Sequence, residues 1–383
     1  MNAVAVRRER IRLLVLLVLL GLAIGLLAST VRDRLGFGRE IEAFGAEACQ
    51  RIPAPAGPED LEIDELLRVA FISATPRRES GALGDLYWLD LDDLDAVPVS
   101  IPRDGPELAP HGLSLVRVDH ELYLHVINHA DAGGSTVEQY RYVPTAGLGA
   151  GSARSLGALE HLVTVSDPAL SSPNDLAAVD GKRFYVTNDH GGRNPLMRSL
   201  EHVLGFRLGD VQYYDGQRFQ TVATRQGFAN GILLTRGGGR VLVAETVAGT
   251  ITSYLRDPVS GLLTAESYMR FETGPDNLTQ AQDGSIWMVG HPRLVDFIAH
   301  ARDPAKLSPT EVYRIDFYGR SADFGAVMVD DGSLISGGST AAVRGQLMWV
   351  GNVFDPYLLR CTLHRGIGSA VPAPVVEPRL TYQ

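Results

Sequence analysis

Residues suited to metal binding or proton transfer interrupt the strand-like stretches of this 383-residue sequence. They are Asn, Asp, Glu and His side chains at positions where the surrounding pattern favours apolar residues or ordinary turns. Carboxylate and amide oxygens without clustered cysteines suit a hard cation, and a shell of about six to eight oxygens favours calcium over magnesium. The set comprises Glu59, Asp60, His111, Asn128, His129, Asn174, Asp175, Asn188, Asp189, His190, Asn230, Asp276, Asn277 and His291.

Two pairs of these residues are adjacent in the chain. Glu59 precedes Asp60, and Asn174 precedes Asp175. Successive residues of an extended chain point in opposite directions, so each pair can serve two separate ions. We therefore predict two stacked calcium sites, with Glu59 and Asp276 neutralising one ion and Asp60 and Asp175 the other. Without ions, four crowded carboxylates in a low-dielectric channel would be unfavourable.

Each signal alone has an ordinary explanation. Asn-Asp pairs commonly form turns or caps, because both side chains hydrogen-bond to local backbone. A single strand histidine is commonly a core residue with its hydrogen bonds satisfied, and "NLT" at Asn277 is a formal glycosylation sequon. The joint pattern is what favours a functional site.

The elements that must position these residues repeat along the chain. An apolar strand, a short turn and a second strand that often carries Tyr recur six times, at intervals of roughly 45 to 60 residues. The spacing predicts an all-β fold, a six-bladed β-propeller whose inner strands meet at one axis. A pair of β-sandwiches or barrels is the alternative. The units begin at Arg68, Glu121, Lys182, Gly239, Gly284 and Gln346.

Composition and charge narrow the function. The chain has 41 Gly and 21 Pro, which indicates many tight turns. A formal net charge of −10 disfavours a general nucleic-acid partner, because phosphate binding needs a basic surface.

The N-terminus carries a basic stretch followed by a long apolar run. Residues 1–12 contain four arginines, and residues 13–31 would span roughly 28 Å as a helix, close to the thickness of the hydrocarbon core. We predict an uncleaved signal-anchor, with the N-terminus cytoplasmic and the body periplasmic, lumenal or extracellular. A cleaved signal peptide is the alternative.

Three further segments complete the domain plan. Residues 32–364 form the predicted propeller, and residues 365–383 a Pro-rich tail. An insertion at 190–209 places Leu196, Leu200, Val203 and Leu204 on one helical face, which favours packing on the propeller top over contact with a membrane. The only cysteines, Cys49 and Cys361, form either one disulfide in an oxidising compartment or two separate buried thiols.

These elements resemble the paraoxonase/arylesterase family, in the same order, from about Cys49 to Cys361. The matching stretches are "EDLEI", "PHG", "NH" followed by "STVE", "PNDL", "FYVTNDH", "FANGI", "DN" before a hydrophobic strand, "GHP", "GST" and a terminal "VF" before Cys361. The resemblance implies a propeller with two calcium ions in its central tunnel, one catalytic and one structural.

The resemblance also implies roles for individual residues. His111 and His129 would form a histidine dyad, and Cys49 and Cys361 a disulfide. Asp60, Asp175 and the backbone carbonyl of Leu113 would hold the structural calcium. The catalytic calcium would be held by Glu59, Asn174, Asn230, Asp276 and Asn277. The substrate pocket would include Phe228, Val353, Phe354, His190 and His291.

The function implied is calcium-dependent hydrolysis of aryl esters and lactones, with phosphotriesters as a further substrate class. His111 is the predicted base and His129 its proton relay, while Glu59 or Asp276 is the rival base. The sequence has no G-x-S-x-G, so a serine-nucleophile esterase finds no support. The alternatives are a membrane-tethered binding propeller in which calcium is only structural, and a sugar-lactone hydrolase of related architecture.

Overall fold

A computed structural model describes residues 3–130, 134–144, 157–192, 194–319 and 321–363. The Pro-rich tail predicted at 365–383 lies outside these residues. The helices are α1 (Ala3–Arg34), α2 (Pro195–Leu204) and α3 (Leu294–Arg302). The strands are β1 (Cys49–Pro53), β2 (Pro58–Asp64), β3 (Val69–Ala74), β4 (Asp85–Asp90), β5 (Val99–Ser100), β6 (Pro110–Val118), β7 (Glu121–Asn128), β8 (Thr136–Val143), β9 (Ala158–Val165), β10 (Pro173–Ala178), β11 (Phe184–Asn188), β12 (Gly209–Tyr214), β13 (Phe219–Gln226), β14 (Ala229–Leu234), β15 (Arg240–Glu245), β16 (Thr250–Arg256), β17 (Leu263–Arg270), β18 (Gly274–Gln280), β19 (Ile286–His291), β20 (Thr310–Tyr318), β21 (Ser321–Asp330), β22 (Gly338–Arg344), β23 (Leu347–Asn352) and β24 (Tyr357–Thr362).

The strands form six antiparallel four-stranded sheets arranged as blades. Blades 1 to 5 are β2–β5, β6–β9, β10–β13, β14–β17 and β18–β21, and blade 6 combines β22, β23 and β24 with β1. The innermost strands β2, β6, β10, β14, β18 and β22 contact one another around the axis. The prediction of a six-bladed propeller is confirmed.

Every innermost strand loses its regular pairing near its start. The register shifts between Pro58 and Asp60 in β2, and between Pro110 and Leu113 in β6. Equivalent shifts occur in β10, β14, β18 and β22. A bulge of this kind re-aims side chains that a regular ladder would place on the blade faces. The hub therefore has six irregular positions, one per blade, at the same level of the tunnel.

The ring closes by pairing the first strand with the last. Five residue pairs join β1 to β24, and Cys49 lies opposite Cys361. The two cysteines form a disulfide across this pair, 312 residues apart in sequence. The disulfide prediction is confirmed, and the link fixes blade 6 to both ends of the propeller.

The N-terminal apolar segment forms a single helix. Within α1, the 23-residue span Arg12–Arg34 contains an 18-residue window with a mean hydropathy of 2.7, so the helix is long and apolar enough to cross a membrane. The leucines along it are exposed, Leu26 by 71%. No face of this stretch is buried against the propeller.

Helix α2 forms where the sequence predicts a helix, but its orientation differs from the expectation. Asn194 caps its start by accepting a hydrogen bond from the Met197 amide, and Gly205 ends it in the left-handed conformation. Its apolar side chains face outward, with Leu196 70% exposed, while Glu201 is buried. The prediction that the apolar face packs on the propeller is therefore wrong. Glu201 faces inward because its carboxylate accepts a hydrogen bond from the Gly191 amide.

Candidate functional site

A cavity of about 270 Å³ opens at the bulged end of the tunnel. Polar residues from the inner strands line it together with aromatic and aliphatic walls. Of the predicted site residues, the cavity is lined by Glu59, His111, Asn174, Phe228, Asn230, Asp276, His291, Val353 and Phe354. The bulges thus bring together residues that are up to 295 positions apart between Glu59 and Phe354.

Three buried amide oxygens near this cavity have no hydrogen-bond partner. They are the Oδ1 atoms of Asn174, Asn230 and Asn277, on β10, β14 and β18. A buried carbonyl left unpaired costs about 1–3 kcal/mol, so three together require an explanation. Hard cations prefer such oxygens. The residues therefore fit a calcium ion, which Asn174, Asn230 and Asn277 would hold together with the carboxylates of Glu59 and Asp276.

A second pair of carboxylates lies beside the first, away from the cavity wall. Asp60 and Asp175 are both 4% exposed. Burial raises the pKa of Asp175, and the Asp60 carboxylate raises it further. Their oxygens accept backbone amides, including Leu113 to Asp60 Oδ2 at 2.8 Å and Ile232 to Asp175 Oδ2 at 2.8 Å. Two repelling carboxylates of this kind fit the predicted second ion, which Asp60, Asp175 and Leu113 would hold.

The described residues contain no group of three or more His, Cys, Asp and Glu side chains arranged for a metal. Three of the five donors proposed for the first ion are asparagine amides, which such a group would not include, and only two carboxylates are proposed for the second ion.

The Glu59 carboxylate contacts two nitrogen-bearing side chains. Its Oε1 lies 2.9 Å from His111 Nε2, and its Oε2 accepts a hydrogen bond from the Arg77 guanidinium. Burial raises the pKa of Glu59, but Arg77 and His111 more than offset it and bring the pKa to about 2. Glu59 is therefore ionised at neutral pH.

A chain of hydrogen bonds runs from Glu59 to Ser135. His111 Nδ1 lies 2.9 Å from His129 Nε2, and His129 Nδ1 lies 2.8 Å from Ser135 Oγ. Because Glu59 is ionised, it accepts a hydrogen bond from His111 Nε2–H when both rings are neutral. His111 Nδ1 then accepts from His129, and His129 accepts from the Ser135 hydroxyl. Burial and the neighbouring His111 lower the pKa of His129 to about 3, which keeps its ring neutral.

A separate histidine contacts the other carboxylate of the cavity. His291 Nε2 lies 2.8 Å from Asp276 Oδ2, and both side chains are almost fully buried. Burial raises the pKa of Asp276, although the hydrogen bond from His291 opposes the rise.

Glycine next to two site residues permits the close approach of neighbouring blades. A Cβ on Gly112 would lie 2.6 Å from the Asp175 Cα, and one on Gly231 would lie 2.7 Å from the Asn277 Cα. The glycines of "PHG" and "NG" are therefore needed to bring adjacent inner strands together.

One predicted pocket residue lies behind the wall. His190 is not among the residues that line the cavity; its ring packs 5.0 Å from Phe228 and 4.7 Å from His202. His202 and Phe228 form the cavity surface there. His190 Nδ1 also lies 3.4 Å from the buried Glu201 Oε2.

Several lining residues escaped the sequence analysis. They come from the linker after α1, the loops after β3 and β15, and helices α2 and α3. Only the paired arginines of "TPRR" gave a signal, since two adjacent cations follow a buried strand. Asp189, which belongs to the polar set identified in the sequence, also lines the cavity; the residues that were not identified are Leu35, Arg77, His202, Thr246, Val247, Leu294, Phe297 and Ile298.

Comparison with known proteins finds similar sequences that cover most of this chain. The sequence is 30% identical over 365 residues to mouse serum paraoxonase/arylesterase 1, covering 90% of this chain and 98% of the mouse protein. It is 30% identical to rat serum paraoxonase/arylesterase 2, covering 89% and 97%. It is 28% identical to human serum paraoxonase/lactonase 3, covering 90% and 98%. The sequence model of the arylesterase family matches residues 76–363, and the chain belongs to that family.

Proposed function

We propose that this protein is a calcium-dependent hydrolase of aryl esters and lactones. The observation that supports the proposal is the cavity itself. It brings buried amide oxygens without hydrogen-bond partners close to the series of hydrogen bonds that runs from Glu59 to Ser135. Its walls are apolar. The relatives' names, arylesterase and lactonase, agree with this chemistry.

Calcium at Glu59, Asn174, Asn230, Asp276 and Asn277 would supply a Lewis acid for the carbonyl oxygen of the substrate. A second calcium at Asp60, Asp175 and Leu113 would join the inner strands. The apolar walls at Phe228, Val353 and Phe354 would bind the acyl or aryl group and exclude water from it.

His111 would act as the base for water. In the resting arrangement, both of its ring nitrogens are engaged, by Glu59 and by His129. Reversing the hydrogen bonds, so that His111 Nδ1–H donates to His129 and His129 Nδ1–H donates to Ser135, leaves His111 Nε2 unprotonated. The base role therefore requires Glu59 Oε1 to give up its bond to His111. His129 would relay the proton towards Ser135.

The rival base is a carboxylate. Glu59 is ion-paired with Arg77, which makes it a weak base. Asp276 is the stronger rival, and His291 would then orient substrate or the carboxylate.

We test the dyad with a matched pair of variants. His111→Gln should lower lactone and ester turnover about 10²- to 10⁴-fold, the usual contribution of a positioned base. His161→Gln is the control, because His161 Nε2 also lies 2.9 Å from a buried glutamate, Glu138, outside the cavity. Near-normal turnover by His111→Gln would exclude the dyad as the main base, and a loss in both variants would indicate a structural effect.

Assays of a substrate panel, with and without a calcium chelator, separate the proposed hydrolase from its alternatives. The alternative, a tethered binding propeller in which calcium only joins the blades, predicts no turnover of any ester or lactone. A panel of aryl esters, γ- and δ-lactones, sugar lactones and paraoxon, with and without EGTA, distinguishes these functions and tests the phosphotriesterase side activity. Activity that survives thorough EGTA treatment would contradict a calcium mechanism.

We also propose that α1 anchors the protein in a membrane. Arginines precede its apolar stretch, which favours a cytoplasmic N-terminus and an extracytoplasmic propeller. The exposed apolar face of α2 lies near the end of α1, because Arg34 donates a hydrogen bond to the Val203 carbonyl. Protease protection of residues 1–12 and digestion of the body in sealed vesicles would test this topology.

A further inference from the structure

The segment that follows α1 takes part in the cavity wall. Leu35 lines the cavity beside Leu294 and Ile298 of α3. This linker, residues 35–39, is thus the only part of the chain before β1 among the described residues that line the cavity. The apolar helix α1 is therefore followed directly in sequence by a residue of the cavity wall.

The backbone of the linker is held against the start of α3. The Leu35 carbonyl accepts a hydrogen bond from the Val295 amide at 3.2 Å. Gly36 adopts a left-handed conformation with φ of 69°, and a Cβ there would collide with the Pro292 carbonyl oxygen. A residue other than glycine would strain the backbone and push the linker away from α3. Leu35 therefore has a defined position rather than that of a loose tether.

Two arginines attach the linker to other elements around the cavity. Arg34 donates to the Val203 carbonyl at 3.2 Å, near the C-terminal end of α2, where a cation is favourable. Arg39 pairs at 2.6 Å with Glu311, whose side chain is 4% exposed. A buried carboxylate needs such a partner, so this pair resists separation. The linker is fixed on both sides of Leu35.

We propose that Leu35 is a specificity-determining residue that packs against the apolar group of the substrate. The proposal rests on the proposed ester and lactone hydrolysis. The cavity residues proposed to bind calcium lie on the inner strands, whereas Leu35, Leu294 and Ile298 lie in the linker and in α3 and add aliphatic surface. A substrate whose carbonyl reaches the proposed calcium ligands would place a long acyl chain along these three side chains.

Selectivity for acyl chain length tests the proposal in the full-length chain in detergent micelles. The ratio of kcat/KM for p-nitrophenyl decanoate to that for p-nitrophenyl acetate should fall about tenfold in Leu35→Ala, mainly through KM. The estimate follows because each buried CH₂ contributes about 0.8 kcal/mol and Leu35 is half-buried. Leu35→Trp should lower the same ratio by filling the space. Phe37→Ala is the matched control, since Phe37 is 47% exposed and does not line the cavity.

The outcomes separate this inference from the proposed function. Turnover of acetate by the wild type with an unchanged ratio in Leu35→Ala would overturn the role of Leu35 and leave the hydrolase intact. No turnover of either ester would contradict the hydrolase instead. In that case 2-dodecanone and 2-butanone, which are not hydrolysed, serve as ligands. If 2-dodecanone raises the melting temperature of the wild type more than 2-butanone does, and this difference shrinks in Leu35→Ala, the proposed role of Leu35 is still supported. The same difference in both proteins would refute it.

Discussion

Replacing Asn230 with leucine should stabilise the calcium-free protein and remove most of its response to calcium. The Oδ1 atom of Asn230 is buried without a partner, and this costs about 1–3 kcal/mol. Its Nδ2 donates to Thr246 Oγ1 at 3.0 Å, a bond that contributes about 1 kcal/mol. Leucine removes both groups, so the free energy of unfolding in EGTA should rise by about 0–2 kcal/mol.

In calcium the order should reverse. An ion present at about a thousandfold above its dissociation constant stabilises the folded state by about 4 kcal/mol. Asn230→Leu lacks one of the proposed ligands and should lose most of that stabilisation. The wild type should therefore be the less stable protein, or equal, in EGTA and clearly the more stable protein in excess calcium.

Urea denaturation in EGTA and in excess calcium measures both effects, with Asn188→Leu as the control. The Asn188 amide is fully engaged: Nδ2 donates to the Ala169 carbonyl and to Asp210, both at 2.8 Å, and Oδ1 accepts from Ser172. Asn188→Leu should be destabilised in both conditions and keep the calcium response. Destabilisation of Asn230→Leu in EGTA like that of Asn188→Leu, or stabilisation by calcium equal to that of the wild type, would contradict the proposed role of Asn230 as a ligand.

Three further predictions concern closure, metal affinity and pH. Replacing Cys49 and Cys361 together with alanine should lower the free energy of unfolding by about 3–5 kcal/mol, because the disulfide closes a loop of 312 residues; an unmoved denaturation midpoint would contradict this. Arg77→Gln should raise the calcium affinity measured with a fluorescent chelator by about tenfold or more, because the ion no longer meets the cation paired with Glu59; weaker binding would show that Arg77 supports the site. Burial lowers the pKa of His125 from 6.5 to about 4, so protonation favours the unfolded chain: about 3 kcal/mol of stability should be lost as the pH falls from 6.5 to 4, and that loss should be absent in His125→Phe.

Periodicity made the blades predictable. Apolar strands such as "RVAFIS" and "GRVLVAET" form β3 and β15, because strands buried on both faces contain nearly continuous apolar runs. The disulfide was predictable only as one of two alternatives until the family resemblance was considered. The bulges were not predictable, since no single residue type marks them: the shift between Ala229 and Ile232 in β14 has no proline, unlike that after Pro58.

The polar residues at the hub could be identified because they are out of place in strands. Their partners could not, because tertiary contacts across blades leave no local signal. Arg77 reaches Glu59 from a loop, and Leu35 reaches the cavity from the segment between the predicted anchor and the first strand. The outward apolar face of α2 was mispredicted because amphipathic spacing reveals a face without revealing what covers it.

The six bulges lie at one level of the tunnel, so each blade presents an equivalent position to the axis. Five of the bulges enclose two residues and the bulge in β2 encloses one, Glu59, and the side chains differ from blade to blade: acidic in β2, an amide in β14, and Ser339 and Thr340 in β22. A substitution in one bulge would alter the chemistry presented to the axis and leave the outer three strands of that blade undisturbed. Such modularity would let related proteins diverge in reactivity through these eleven positions, with the surrounding architecture unchanged.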